Sequence, residues 1–164
     1  MKNLWAAWRR DFILGPKEKG CVFCNRIKKK TDRENLILFR GKRAFVIMNK
    51  YPYNGGHLLI VPRTHKKDLS QLTVSESNDL FNMTRKAVEI LKKSMPADGF
   101  NIGMNLGAVA GAGIRDHLHI HVVPRFMGDT SYMVIMDDVK VQSISLLDIY
   151  DLLKPKFDLL KGKC

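Results

Sequence analysis

The sequence predicts an α+β fold with a mainly antiparallel sheet of about five strands, one long helix between strands and a C-terminal helix. Short apolar runs precede and follow a long amphipathic segment, and a second helical segment closes the chain. This order is typical of α+β proteins, whereas a doubly wound parallel sheet needs strands and helices that alternate regularly. One run, residues 117–123, alternates histidine with aliphatic residues, and this period of two indicates a strand.

Five short apolar runs bounded by turn residues are predicted to form the strands. They are residues 35–39, 44–48, 57–62, 99–105 and 117–123. Between the third and fourth runs, Thr73 is a suitable N-cap for a helix that extends to about Lys93 with an apolar stripe at helical spacing. A short basic helix is expected to end near Lys30. A closing helix is predicted over residues 145–160, bent or broken at Pro155.

Length and composition favour one domain without a membrane span. The chain has 164 residues and holds no apolar run of about 18 residues. We divide it into an N-terminal arm over residues 1–20, a core over residues 21–135 and a C-terminal extension over residues 136–164. The N-terminus lacks the apolar segment of a secretory signal, and three cysteines do not favour a disulfide framework, so we expect a cytoplasmic protein.

The formal net charge of +12 favours anionic partners such as nucleotides, phosphates or nucleic acid. Part of this charge is clustered in basic blocks at residues 26–30 and 63–67. Aromatic residues are not interleaved with these blocks, as they are in sites that stack bases along a strand. The charge therefore favours a small anionic substrate over nucleic acid.

The alternating segment is expected to place His117, His119 and His121 on one face of a strand, with Leu118 and Ile120 on the other. Neutral imidazole attacks electrophiles, ligates metals and titrates near neutral pH. Ordinary packing needs no such row, although a half-exposed strand with histidines on its wet face is the structural alternative. The row is therefore the leading candidate for a reactive site.

The segment His117-Leu118-His119-Ile120-His121-Val122-Val123 resembles the signature of the histidine triad (HIT) superfamily. Residues 48–65 resemble the central hairpin region of that family, and Asn105 with the glycine-rich loop after it stands where the family has its own. Three further segments are similar to bacterial members of the fragile-histidine-triad branch, which cleave diadenosine polyphosphates as hydrolases or phosphorylases. They are Leu4-Trp5 with Trp8-Arg9, Cys21-Val22-Phe23-Cys24, and Pro124-Arg125 with Gly128-Asp129-Thr130.

This resemblance, which covers about residues 1–135, implies a role for each of several residues. His119 would be the nucleophile that becomes a nucleotidyl-histidine, and His121 would contact the scissile phosphate or the leaving oxygen. Asn49 and Asn105 match polar positions around ribose and phosphate, and His57 matches a histidine lining the same pocket. The resemblance also implies a homodimer whose two sheets join edge to edge.

The glycine-rich loop at residues 107–113 is a second candidate for phosphate contacts. Gly111 and Gly113 would let backbone N–H groups approach a phosphate closely. A plain turn is the alternative, because such loops often have no ligand. Asn49 and Asn105 could likewise be turn residues.

Cys21, Cys24, His65 and His117 form a possible Cys₂His₂ metal site, since thiolate and imidazole are the usual ligands of tetrahedral zinc. Some relatives with the same Cys-x-x-Cys and the same Thr-His after the central strand hold structural zinc in this way. Reduced structural cysteines and a redox pair are the alternatives. If zinc binds, His117 is structural and leaves His119 and His121 for catalysis.

These observations predict an enzyme that cleaves dinucleoside polyphosphates such as diadenosine tri- or tetraphosphate. Whether it is a hydrolase or a phosphorylase stays open, as does any divalent cation that accompanies the substrate. One alternative is a purine nucleoside phosphoramidase of the same superfamily. The other is a nucleotide- or nucleic-acid-binding module with little turnover. An intact His119 argues against a simple binding module, since binding alone needs no nucleophile.

Overall fold

The five predicted strands form one antiparallel sheet in the computed structural model, which describes residues 19–129 and 144–160. The strands are β1 (Ile37–Arg40), β2 (Ala44–Met48), β3 (Leu58–Pro62), β4 (Gly99–Gly103) and β5 (Ile120–Arg125). Their order across the sheet is β1-β2-β3-β5-β4, and every neighbouring pair runs antiparallel. The predicted α+β class is confirmed, and β2 has the predicted bounds.

Three α-helices accompany the sheet within the described residues: α1 (Val22–Lys28), α2 (Val74–Ser94) and α3 (Leu146–Asp158). Short 3₁₀ turns lie between β3 and α2, at Leu69–Gln71, and after β5, at Met127–Asp129. Thr73 caps α2 as predicted: its hydroxyl accepts from the N–H of Glu76, and the Glu76 side chain accepts from the N–H of Thr73. None of the helices in this part of the chain is long and apolar enough to cross a membrane.

Of the two outcomes predicted at Pro155, a bend or a break, the break is wrong, because α3 continues through that residue to Asp158. A proline inside a helix removes one backbone hydrogen bond. Here apolar residues on both sides of the proline are buried: Ile149, Tyr150, Leu153 and Phe157. The Tyr150 hydroxyl also donates to the carbonyl of Ile37, 3.1 Å away on β1. Tertiary packing therefore holds α3 where the local sequence would interrupt it.

Different helices pack against the two faces of the sheet. Gly56 has both Leu91 of α2 and Pro124 of β5 close to it, so α2 lies on the face to which Pro124 belongs. On the opposite face, Phe23 of α1 packs edge-on against Phe45 of β2, with ring centroids 6.4 Å apart. The strand register places His121 on this second face as well, because Ile47 pairs with Leu59 and Leu59 pairs with His121.

The histidine strand begins later than predicted. β5 starts at Ile120, so His121 is its only triad histidine, and residues 117–119 form an approach to it that is outside the strand. The backbone pairing of β3 with β5 ends at Ile60. Beyond this point the His117 side chain contacts β3 instead, with its Nε2 2.9 Å from the carbonyl oxygen of Pro62. The backbone N–H of Leu118 donates instead to the carbonyl of Lys66. Side-chain and loop contacts thus replace the expected strand ladder.

The structure also excludes the half-exposed strand with histidines on a wet face. His117 and His119 are 1% and 5% exposed, as buried as Leu118 at 3%. α1 and the loop after β3 cover this face, and Phe23 contacts both rings, with centroids 5.4 Å and 5.2 Å away. His121 is half-buried and remains the open end of the row.

Candidate active site

His119 is held in a single tautomer by the backbone. Its Nδ1 lies 2.9 Å from the carbonyl oxygen of His117, and a carbonyl can only accept, so Nδ1 carries the proton. The Nε2 atom therefore keeps its lone pair. Burial lowers the pKa of His119 below its ordinary value, partly opposed by this hydrogen bond. The ring is thus neutral near pH 7 with one nucleophilic nitrogen.

His121 is oriented through His57. The Nδ1 of His57 accepts from the backbone N–H of Tyr53 at 3.1 Å and faces the Asn49 amide nitrogen at 3.3 Å. The proton of His57 is therefore on Nε2, which donates to His121 Nδ1 at 2.9 Å. That leaves the proton of His121 on Nε2, available as a donor.

The pKa values of this pair are strongly displaced. Burial, followed by the nearby His121 and His119, lowers the pKa of His57 to about 3. Burial and His119 lower the pKa of His121 to about 4. Both rings are consequently neutral at pH 7, and the hydrogen-bonded chain from Asn49 to His121 transmits orientation without a net charge.

The four candidate metal ligands converge on one point. The ligand atoms of Cys21, Cys24, His65 and His117 all lie within 4.8 Å of one another. The Nδ1 of His117 is 3.2 Å from Cys21 Sγ and 3.6 Å from Cys24 Sγ, and the Nδ1 of His65 is 3.4 Å from Cys24 Sγ. The cluster joins α1, the loop after β3 and the approach to β5.

These residues fit a tetrahedral zinc ion. With zinc–sulfur bonds of about 2.3 Å and zinc–nitrogen bonds of about 2.0–2.1 Å, a tetrahedral ion separates sulfur from nitrogen by about 3.6 Å. The measured separations come close to that value. His117 also directs its other nitrogen, Nε2, at the Pro62 carbonyl, which is the outer contact that a metal-bound imidazole usually makes.

The glycine-rich loop is shaped by positive φ angles at Gly107 and Gly111, +82° and +84°, which only glycine adopts readily. The N–H of Gly111 donates to the carbonyl of Ala108, so it is occupied within the turn. Asn105 bonds this loop weakly through its amide, 3.4 Å from the carbonyl oxygen of Gly111. The predicted loop residues are thus together, but the Gly111 N–H is not free to bind phosphate in this conformation.

A groove of about 340 Å³ opens beside His121 along β4 and β5. His121 and Asn105 line it, whereas His119, His57 and Asn49 are not among its lining residues. The His119 ring is 4.9 Å from the ring of His121. The remaining lining residues are Tyr53, Asn54, Asn101, Ile102, Gly103, Val123 and Arg125.

Four residues that line the groove were not predicted from the sequence as site residues: Tyr53, Asn54, Asn101 and Arg125. The period of two would have pointed to Arg125, since positions 121, 123 and 125 share one face of a strand. No local pattern marks Asn54, because its partners lie 70 residues and more away in the chain.

A second groove of about 660 Å³ lies between the C-terminal end of α1 and the N-terminal end of α3. Arg26, Lys29, Arg33 and Lys50 line it together with Leu146 and Leu147. Arg33 makes a two-point ion pair with Asp151, with nitrogen–oxygen distances of 3.0 Å and 2.8 Å. Part of the basic block at residues 26–30 therefore borders a groove that none of the triad histidines lines.

Comparison with known proteins places the chain among well-described relatives. A family model described as "HIT domain" matches residues 30–128. A protein of Mycobacterium tuberculosis named AP-4-A phosphorylase is 42% identical over 149 residues, which cover 86% of this chain and 76% of the relative. The bis(5'-nucleosyl)-tetraphosphatase [asymmetrical] of Schizosaccharomyces pombe is 35% identical over 95 residues, 58% of this chain and 52% of that protein.

Solved structures agree with this fold. A Zn-bound histidine triad family protein from Mycobacterium smegmatis superposes with a TM-score of 0.68 at 25% identity, covering 88% of this chain and 98% of that one. A histidine triad nucleotide-binding protein from Sulfolobus tokodaii gives a TM-score of 0.67 at 26% identity, covering 87% and 95%. The overall fold is thus shared with experimentally determined structures of histidine triad proteins.

Proposed function

Because the chain belongs to the HIT domain family, we propose that it is an enzyme that cleaves dinucleoside polyphosphates through a nucleotidyl-histidine on His119. The observation that carries this proposal is the fixed tautomer of His119, whose Nδ1 faces the His117 carbonyl and whose Nε2 is left as the nucleophile. Relatives named AP-4-A phosphorylase and bis(5'-nucleosyl)-tetraphosphatase support the substrate class.

The reaction divides into two displacements at the α-phosphorus. In the first, His119 Nε2 forms a P–N bond while the P–O bond to the polyphosphate leaving group breaks, and the electron pair leaves with the oxygen. His121 stands beside His119 and presents an N–H at Nε2, which donates to that oxygen or to a phosphate oxygen. In the second displacement, water or inorganic phosphate attacks the phosphorus, the P–N bond breaks, and the nucleotide is released.

The other predicted residues take supporting roles in this proposal. Asn105 lines the groove and is within reach of substrate, whereas Asn49 and His57 act through His121 as positioning residues. Gly111 and Gly113 shape the loop beside Asn105. A phosphate contact from the Gly111 N–H would require the loop to release the carbonyl of Ala108.

We also propose that Cys21, Cys24, His65 and His117 hold a zinc ion, in agreement with the spacing of their ligand atoms. Bound there, zinc would supply a structural cross-link rather than a reactant, since four protein ligands leave no open position. His117 then serves the site by fixing the backbone whose carbonyl sets the tautomer of His119. This assignment takes His117 out of direct catalysis.

A homodimer joined at β4 is part of the same proposal. β4 is an edge strand, and the apolar side chains of Ile102, Met104 and Leu106 are exposed in or just after it.

We further propose a single domain over residues 1–164 with its core at residues 21–135, around the matched residues 30–128. The predicted N-terminal arm lies outside the described residues, apart from Lys19 and Gly20. Reduced thiols at Cys21 and Cys24 favour a cytoplasmic location.

Incubation with diadenosine tetraphosphate, with and without inorganic phosphate, tests the proposed reaction. Phosphate-dependent formation of ADP and ATP would identify a phosphorylase, and AMP with ATP in the absence of phosphate would identify a hydrolase. Either result should be accompanied by a nucleotide bound covalently to His119 in rapidly quenched samples kept at alkaline pH, because the P–N bond of a nucleotidyl-histidine hydrolyses in acid. A protein that binds the substrate and releases no product under either condition would contradict the proposal.

A further inference from the structure

The groove beside His121 extends along the two strands toward Arg125. On β5, His121, Val123 and Arg125 share one face, and their partners on β4 are Gly103, Asn101 and Gly99. At about 3.4 Å per residue, the backbone positions of His121 and Arg125 are roughly 14 Å apart. The groove is therefore longer than one phosphate group needs.

Arg125 folds back along this groove toward His121. Its Nη1 donates to Asn101 Oδ1 at 2.8 Å, and Asn101 pairs with Val123, which lies halfway between Arg125 and His121. Its Nε donates to Asp129 Oδ2 at 2.7 Å. A guanidinium has five N–H groups, so three remain, and the described residues offer them no acceptor.

The support behind this guanidinium is buried. Asn54 is 3% exposed, and its Nδ2 lies 3.0 Å and 2.9 Å from the two carboxylate oxygens of Asp129 and 2.8 Å from the carbonyl oxygen of Pro124. The buried Asn54 amide thus holds the Asp129 carboxylate in place. The Arg125 side chain that pairs with this carboxylate is half exposed, at 52%. Exposed ion pairs contribute little to stability, so this arrangement is better explained by the orientation of the cation than by the strength of the pair.

We propose that the groove binds the phosphates beyond the scissile one and that Arg125 is the residue that binds them. This inference rests on the proposed function, because it assigns the leaving group of that reaction. When the α-phosphorus is at His119, a linear polyphosphate chain passing His121 runs toward the guanidinium. Arginine recognises phosphate oxygens with charge-assisted hydrogen bonds, and its planar fork is held here in advance.

Two further features leave room for such a chain. Gly103 stands opposite His121, and a Cβ added there would meet no other atom within 4 Å, so the groove is open at that position. Tyr53 covers His57 and His121 with nearly parallel rings, at centroid distances of 4.8 Å and 6.0 Å. Tyr53 also lines the groove, so an aromatic ring borders the groove beside the histidine pair.

Arg125 is a specificity determinant for the length of the phosphate chain in this proposal. It should matter for ligands with distal phosphates and should be indifferent to those with only one. Arg125→Gln removes the charge and keeps a polar side chain, and Arg125→Lys keeps the charge without the fork. Arg43→Gln is the matched control, since Arg43 also pairs with an aspartate, Asp79, at 3.3 Å and lines neither groove.

The test measures the affinities of AMP and ATP by calorimetry and kcat/KM for diadenosine tetraphosphate. In Arg125→Gln, we expect ATP affinity and kcat/KM to fall by about tenfold or more, as for loss of a charge-assisted contact, with AMP affinity unchanged within about twofold. For Arg125→Lys, we expect an ATP affinity and a kcat/KM between those of the wild type and Arg125→Gln. For Arg43→Gln, both values should match the wild type.

The possible failures are separable. If the wild type cleaves the dinucleotide and Arg125→Gln leaves the ATP-to-AMP affinity ratio unchanged, the distal subsite is wrong and the proposed function stands. Equal losses for AMP and ATP would show a merely structural role and would also overturn the subsite. If the wild type cleaves no dinucleotide, the proposed function fails, whatever Arg125 does to nucleotide affinity.

Discussion

The two ends of the triad segment differ in what surrounds them. His117 is 1% exposed and is surrounded by the thiols of Cys21 and Cys24, the ring of His65 and a backbone carbonyl. Four residues later, His121 is half-buried and borders an open groove. We call these the cluster end and the groove end.

The imidazoles of the triad are identical and regularly spaced, yet their hydrogen-bond partners differ between the two ends. At the cluster end, both ring nitrogens of His117 have partners, the two thiols at Nδ1 and the Pro62 carbonyl at Nε2. At the groove end, one nitrogen accepts from His57 and the other remains available to a ligand. His119 lies between them: its tautomer is set by the His117 carbonyl at the cluster end, and its ring is 4.9 Å from the ring of His121 at the groove end.

Replacement of the central histidine should have the largest effect on activity. In His119→Ala, we expect kcat for diadenosine tetraphosphate to fall by at least about 10⁴-fold, because the nucleophile is lost. The metal content and the ATP affinity should stay near wild-type values, since neither end loses its own contacts. His121→Ala should reduce kcat less severely. Residual turnover of His119→Ala within 100-fold of the wild type would contradict covalent catalysis.

Loss of one thiol should break the cluster end. In Cys24→Ser, we expect bound zinc, measured on protein purified without chelator, to fall well below one ion per chain. Loss of about 4 kcal/mol of stabilisation would lower Tm by roughly 8–16 °C for a chain of this size. Chelation of wild-type protein should produce the same shift, reversed by added zinc. Fewer than about 0.2 zinc ions per wild-type chain would argue against the metal assignment.

Replacement of Glu76, which lies outside the four-residue cluster, should have a smaller effect on zinc binding. Glu76 accepts hydrogen bonds from the Thr64 hydroxyl and the Lys66 ammonium, on either side of His65, and these partners lower the pKa of Glu76 to about 2. We expect Glu76→Gln to weaken zinc binding by about tenfold, as is usual for outer contacts of a metal site.

Glu89→Gln is the control for this change, because Glu89 lies on the same helix and pairs only with the exposed Lys93. Competition with a chromogenic chelator measures both zinc affinities. Equal affinities for the two variants would mean that the Glu76 contacts do not position His65.

The groove end should make the protein sensitive to acid. His57 and His121 have folded-state pKa values of about 3 and about 4, below the ordinary value of 6.5. Between pH 6.5 and pH 4 the unfolded chain therefore binds more protons than the folded one, and the free energy of unfolding decreases as the pH falls. In His57→Gln, the slope of this decrease should be smaller by at most about 1.4 kcal/mol per pH unit.

Urea unfolding at pH 7.5, 5.5 and 4.5 measures that slope. His65→Gln alters an exposed histidine at the cluster end and serves to separate the two regions. If His57→Gln and the wild type lose stability in parallel across this range, the neutral His57–His121 pair is not a source of acid sensitivity.

Much of the fold was readable from local patterns. The strand at residues 44–48 and the cap at Thr73 were predicted correctly because hydrophobic period and capping chemistry are encoded in adjacent residues. The break offered as one outcome at Pro155 and the early start of the histidine strand were wrong. In both cases distant contacts decided the outcome, through burial of α3 in one and through the Pro62 and Lys66 carbonyls in the other.

The candidate site divides in the same way. The types of residue and their spacing mark the histidine row as a candidate reactive site and Cys21, Cys24, His65 and His117 as a possible metal site. For the two cysteines they leave reduced structural thiols and a redox pair open. The separate roles of the site residues depend on neighbours far away in sequence: the Asn54–Asp129–Arg125 network and the His57–His121 contact span 64 to 75 residues. Tautomers, burial and groove access are properties of assembled surfaces, so only the tertiary structure decides which imidazole nitrogen carries the proton, which histidines are buried and which one borders the groove.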